Sequence, residues 1–233
     1  MEKGFGIDRD ASGTKAVLFD REGRGIAGAL VEYPLYQERN GWAERDPQDW
    51  WNAACQTLRQ VTAESGVAPE DIKGVGISGQ MHGLVMLDKE GKVLRRSIIW
   101  CDQRTARQCA EITQRVGKER LIQITANPAL TGFTASKILW VRENEPELYA
   151  QCAHILLPKD YVRYMLTGEF ATEVSDASGM QLLDVPHRCW SQEVLAKLAL
   201  DPALLAKVYE SQEITGAIHP EAAAPTGLDA SHP

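Results

Sequence analysis

The side chains best suited to chemistry fall in three short stretches of this 233-residue chain. Near the N-terminus, Asp8 closes a short apolar run, and Ser12, Gly13, Thr14 and Lys15 follow a polar break. A carboxylate at a strand end can hold Mg²⁺ directly or through water, and the amides of a small-residue turn can approach phosphate oxygens. This makes Asp8 a candidate metal ligand and the turn a candidate nucleotide-phosphate site, although Asp and Gly also end ordinary hairpins. The second stretch is Gly79-Gln80-Met81-His82-Gly83, a polar loop flanked by glycines between two apolar runs. Gln80 and His82 offer donors and acceptors suited to a polyol, and Met81 offers an apolar wall. A single His in a loop also has a purely structural reading. The third stretch is Asp102 and Arg104, just after Ile98-Ile99-Trp100. It reads either as a binding cluster or as a salt-bridged helix start. Asp160 and Asp176 read as caps or turn residues.

One motif fails on its context. Gly74-Val75-Gly76-Ile77-Ser78-Gly79 matches the dinucleotide fingerprint as a string. That fingerprint needs its last glycines to open a helix whose N-terminus holds a pyrophosphate. Here loop and strand residues follow, so a dinucleotide site is rejected and the glycines are assigned to tight packing and a turn.

The elements that must position these residues are legible from periodicity. Lys3 to Asp8, Thr14 to Asp20 and Gly25 to Tyr33 alternate as strands joined by tight turns, predicting an antiparallel meander. Asp46 before Pro47 predicts a capped helix, with Trp50, Ala54, Leu58 and Val61 on its buried face and Gly66 and Pro69 ending it. Ile72 to Ile77 and Leu84 to Leu87 read as further strands, the second turning at Lys89-Glu90-Gly91 toward Val93. Helical spacing recurs through about Thr105 to Val116, Ala135 to Asn144, Asp160 to Leu166 and Ser191 to Leu198. Strands first, then strands alternating with helices, predict an α/β fold with a mixed sheet flanked by helices.

Composition bounds the partners. With 25 basic against 32 acidic residues the net charge is -7, which argues against nucleic acid or an anionic membrane surface as partner. No window approaches the ~20 apolar residues that span a bilayer, and the first residues lack a signal-peptide pattern. Five scattered cysteines without a Cys-x-x-Cys pair predict reduced thiols and a cytoplasmic location.

Taken in order, the motifs resemble the FGGY carbohydrate kinases, and among them the xylulokinase type. The blocks are Gly6-Ile7-Asp8, Ser12-Gly13-Thr14-Lys15, Asp46-Pro47 with Trp50-Trp51, and Gly76 through Gly83. Ile99-Trp100-Cys101-Asp102-Gln103-Arg104, Gly132-Phe133-Thr134-Ala135-Ser136-Lys137, Leu157-Pro158-Lys159-Asp160-Tyr161 and Thr167 through Gly179 complete the set. The Gln-Met-His triplet resembles the ketopentose enzymes. The resemblance implies an actin/hexokinase-like (ribonuclease H-like) fold, with residues 1–233 as the N-terminal, sugar-binding lobe. It implies ATP with Mg²⁺ as cofactors, Asp8 and the Ser12–Lys15 turn at the phosphate end, and Gln80, Met81, His82 and Asp102 at the sugar. The implied reaction transfers a phosphoryl group from ATP to D-xylulose; the alternatives are a kinase for another pentulose or a sugar acid, and a non-catalytic sugar-binding module or decayed fragment.

Two departures from the family pattern carry expectations of their own. The family's general base is an Asp in a Gly-Gly-Gly-Asp-Asn block that this chain lacks, so it is expected beyond Pro233, and the chain alone is expected to be inactive. Without its partner lobe the chain is also expected to expose apolar surface and to self-associate into homo-oligomers. The second departure is Arg9-Asp10-Ala11, where the family has Leu-Gly-Thr. Asp10 beside a phosphate adds a repulsion of order 1 kcal/mol at ~4 Å in water, predicting weakened ATP binding.

Overall fold

The structure, a computed structural model, describes residues 3–9 and 12–230. Asp10, Ala11 and the Arg9 side chain, the heart of the altered turn, lie outside the described residues. Strands β1 (Lys3–Arg9), β2 (Gly13–Phe19) and β3 (Gly25–Glu32) form the expected antiparallel meander. The β2–β3 turn is held by the Asp20 carboxylate, which accepts from the amides of Glu22 and Arg24 at 2.9 Å each.

A two-residue strand β4 (Glu44–Arg45) leads into helix α1 (Pro47–Ser65). The Asp46 side chain accepts from the Gln48 amide at 2.9 Å, and Gly66 closes the helix in the left-handed conformation at φ 63°. Trp50, Ala54, Leu58 and Val61 are buried along one face and pack with Ile7, Ala16, Leu18 and Ala29 of the meander. The chain then returns as β5 (Ile72–Gly79), parallel to β1, giving the sheet order β3-β2-β1-β5. Parallel neighbours need a long crossover, and α1 supplies it.

Beyond β5 the chain builds a second core. The apolar run after the Gln80 loop is a strand, β6 (Val85–Leu87), as expected, but it does not join the main sheet. Strand β7 (Ser97–Ile98) pairs with β4. Helices α2 (Ala106–Val116), α3 (Lys118–Thr125), α4 (Thr134–Asn144) and α5 (Pro146–Gln151) follow, then β8 (His154–Leu156), which pairs antiparallel with β6, and α6 (Pro158–Thr167). The helix near the C-terminal end, Gln192–Leu198, starts at Ser191, whose hydroxyl accepts from the Val194 amide at 3.2 Å. Leu84, Met86, Ile112, Ile138, Leu139 and Leu195 meet in this second core. Helices α3 and α5 were not among the segments read from periodicity. Among the described residues, no helix is long and apolar enough to cross a membrane.

The cap of α1 is a direct test of this architecture. Asp46→Ala is expected to cost about 1 kcal/mol in urea denaturation with an unchanged m-value, because the sheet packing of α1 remains.

Candidate functional site

The site is assembled by the parallel pairing of β1 and β5. Asp8 lies opposite Lys15 on β2 and opposite Ser78 on β5, so these three side chains share one exposed face at one end of the sheet. Gly79 and Gln80 leave β5 at that same end. The phosphate-end and sugar-end candidates are therefore neighbours, though 72 residues separate Asp8 from Gln80 in the sequence.

The turn residues divide. Asp8, Ser12 and Lys15 are exposed, whereas Thr14 is fully buried on the face it shares with Ala16 and Leu18. Gly13 has a packing reason of its own, since a Cβ there would lie 2.8 Å from the Val31 carbonyl oxygen. Among the described residues no group of three His, Cys, Asp or Glu side chains is placed to hold a metal by itself. A single exposed carboxylate at Asp8 suits Mg²⁺, which keeps several waters and takes its remaining ligands from substrate phosphates. The exposed Lys15 ammonium across from it suits a phosphate. Asp8, Ser12 and Lys15 thus fit an ATP–Mg²⁺ end, while the Thr14 hydroxyl faces away from it.

The loop from Gly79 to Gly83 is built around His82. Its backbone is left-handed at φ 68°, and its ring meets Phe133 edge-on with centroids 4.7 Å apart. The Thr134 hydroxyl donates to the His82 carbonyl oxygen at 3.1 Å. Gly179 sits so close to the imidazole that any Cβ there would overlap Nε2 and Cδ2. Burial, with the nearby Lys137 charge, pushes the His82 pKa down to about 4, so the ring is neutral and has one donor and one acceptor nitrogen. Met81 beside it is half exposed, and the Gln80 carboxamide is buried with neither its oxygen nor its nitrogen partnered by protein.

Asp102 stands behind this loop, with no exposed surface. One carboxylate oxygen accepts from the Ala43 amide at 2.6 Å, and Arg104 grips both oxygens at 2.7 to 3.0 Å. Arg104 in turn pairs with Glu44 at 2.8 Å and stacks on Trp42, 3.7 Å from its ring centroid, and on Trp140. The salt-bridged helix start is therefore the geometry found, and Asp102 presents no free oxygen to the loop surface. Asp160 and Asp176 are not solvent-facing caps either. With Glu173 they surround the Lys159 ammonium at 3.1 to 3.3 Å. Burial alone would lower the Lys159 pKa, but the three carboxylates together raise it, so the ammonium stays charged.

Known proteins match this arrangement along its length. The model of the FGGY family of carbohydrate kinases, N-terminal domain, matches residues 4–233. The chain belongs to the FGGY family. It is 41% identical over 228 residues to the xylulose kinase of Bacillus subtilis (strain 168), covering 98% of this chain and 46% of that protein. The xylulose kinase of Escherichia coli (strain K12) is 40% identical over 224 residues, 96% of this chain and 46% of that one. The crystal structure of xylulose kinase from Rhodospirillum rubrum superposes with a TM-score of 0.95 at 27% identity, over 100% of this chain and 48% of that chain. The chain thus spans about half the length of the curated relatives it matches. The α/β fold with its mixed sheet is the actin/hexokinase-like fold of the FGGY kinases.

Within this FGGY lobe, several residues at the loop were not singled out from the sequence. Phe133, Thr134 and Gly179 touch His82 directly, and Trp100, half exposed, has its carbonyl covered by Gly132. Their one sequence signal was membership in the Ile99–Arg104, Gly132–Lys137 and Ser175–Gly179 blocks. The neutral His82 gives a pH signature. Unfolded, the imidazole takes a proton below about 6.5; folded, it refuses one until about 4. Its contribution to stability is therefore complete above 6.5 and lost as pH falls from 6.5 toward 4. His82→Asn, which tolerates the left-handed backbone, is expected to flatten that part of the urea-midpoint profile. An unchanged slope would show that His82 titrates normally.

Proposed function

We propose that this chain is the sugar-binding lobe of an ATP-dependent kinase that converts D-xylulose to D-xylulose 5-phosphate. The observation that carries the reading is the Gln80 carboxamide, buried and unpartnered at the strand end that also presents Asp8. An amide buried without partners costs roughly 1–3 kcal/mol, which the hydroxyls of a bound polyol would recover. His82 beside it, neutral and fixed by Phe133 and Thr134, would donate to one sugar oxygen and accept from another. Met81 would cover the apolar face of the carbon chain. The named activity of the relatives supports the choice of a ketopentose, because they match nearly the whole of this chain.

ATP with Mg²⁺ would supply the phosphoryl group and the charge neutralisation at the Asp8 end. Asp8 would hold the metal, and Ser12 and Lys15 would orient the phosphates. The proton of the attacking hydroxyl needs a carboxylate base. Asp102, held by Arg104 and Ala43, is not free for that task. The base would come from the remaining half of the protein.

That half would pack on the free edge of β5. Among the described residues β5 pairs with β1 alone, and a cavity of about 540 Å³ runs along its other edge between Lys73–Ile77, Arg163 of α6 and Ile214. Leu228 and Asp229 lie at the start of this edge, beside Ile72 and Gly74. An unpaired strand edge is a template for another strand. The chain by itself is therefore expected to self-associate, with light scattering showing a mass that rises with concentration; a fixed monomer mass would argue against an uncovered interface.

The decisive test of function is calorimetric titration with D-xylulose, with glycerol as control and with Gln80→Ala and His82→Ala alongside. Saturable heat for D-xylulose that both variants lose is the expected result, without ADP formation when ATP–Mg²⁺ is added. Equal response to glycerol, or binding untouched by either variant, would overturn the sugar assignment. Turnover by this chain alone would overturn the assignment of the base to the other half.

A further inference from the structure

We propose that Lys137 is the positioning residue of the His82 loop, using its ammonium to fix the wall of the site from behind. Lys137 has no exposed surface. It leaves the first turn of α4 and turns back, and its Nζ donates to the carbonyl oxygens of Thr131 at 3.0 Å, of Gly132, and of Phe133 at 2.9 Å. Three consecutive carbonyls converge on the three N–H bonds of one ammonium. No carboxylate lies within ion-pair distance of Nζ among the described residues. Asp102, the nearby charge that favours the protonated amine, is held by Arg104, and Arg104, Cys101, Cys109 and His82 are the other titratable groups facing it. Burial pulls the Lys137 pKa down, while the three carbonyls that accept from Nζ favour the charged form.

A cation in this place is unfavourable on two counts. Burying a charge without an ionic partner is costly, and a positive group near a helix N-terminus opposes the macrodipole. Core stability therefore gives no reason for it, but the segment it gathers does. Phe133 packs on the His82 ring, and Thr134 donates to the His82 carbonyl. The Thr131 hydroxyl donates to Gln103 at 2.9 Å, and Gly132 lies so near the Trp100 carbonyl that a Cβ would come within 3.1 Å. Residues 131–134 thus touch both sides of the loop surface, and Lys137 ties their backbone together. The consequence for sugar rests on the reading proposed above; the positioning of His82 does not.

The test uses the whole chain with Lys137→Met, which keeps the packing and removes every donor, and Lys137→Gln, which keeps two. Amide hydrogen exchange is followed through residues 130–134 and through α1, and the His82 ring protons are followed by NMR. Loss of charge-assisted bonds is expected to speed exchange in 130–134 by about tenfold or more in Lys137→Met, with an intermediate effect in Lys137→Gln. Protection in α1 is expected to hold, and the His82 ring resonances to leave the position set by Phe133. D-xylulose affinity is expected to fall by a similar factor. Unchanged exchange in 130–134, or a loosened segment with His82 unmoved, would overturn the proposal. Global unfolding of both variants would overturn it too, by assigning Lys137 to the core. Should the loop and His82 respond while the unaltered chain binds no D-xylulose, the functional reading fails and the positioning role stands.

Discussion

The parallel contact between β1 and β5 is the constraint on which the rest of the site depends. It places Asp8 level with Ser78 and the exits of both strands side by side. Neighbouring strands lie about 4.8 Å apart, so whatever follows each strand must share one small volume. The contact exists because α1 lays Trp50, Ala54, Leu58 and Val61 across the meander and carries the chain back to the edge of β1. A cap at Asp46, a buried stripe and a left-handed Gly66 thus act on the site from a distance. They do so by fixing the direction in which β5 arrives.

Behind the loop that leaves β5, the structure commits a set of buried charges. Asp102, Arg104, Glu44 and Arg95 form a chain of ion pairs, with Arg104 clasped between Trp42 and Trp140. Such networks return little net stability, because desolvation offsets most of the attraction. What they provide is geometry, since both ends are fastened to the short β4–β7 pairing and to the turn before α2. The Thr105–Ser136 hydroxyl contact at 2.9 Å extends the same frame to α4, and from there Lys137 reaches the 131–133 backbone. The surface that remains open in front of this frame is small and mixed. Met81 and Trp100 are half exposed there and His82 partly so, while the Gln80 amide is itself buried.

Much of this was readable residue by residue, and the pattern of success has a physical cause. The meander, α1 with its cap, and the helices at α2, α4 and α6 each announce themselves through local repeats of two or 3.6 residues. The Gly-Gln-Met-His loop stood out because polar residues between glycines interrupt two apolar runs. Gly13 and Thr14 were read with the phosphate turn from their residue types. Once placed, Gly13 is required by the Val31 carbonyl and Thr14 belongs to the buried face, a distinction that alternation along β2 decides. Asp102 was set among sugar-facing residues for the same reason, and the fold turned both of its oxygens inward.

The sequence by itself determined the family, the α/β class, the local elements and the identity of the side chains available for chemistry. These follow from short-range periodicity and from the types of residues in each block. Tertiary structure alone decided which of them meet. The β1–β5 register, the diversion of β6 away from the main sheet to β8, the burial of Asp102 and the return of Lys137 to the loop all join residues far apart in the chain. Such pairings are selected by the packing of whole faces and by the demand that buried charges find partners, and neither leaves a local signature in the order of residues.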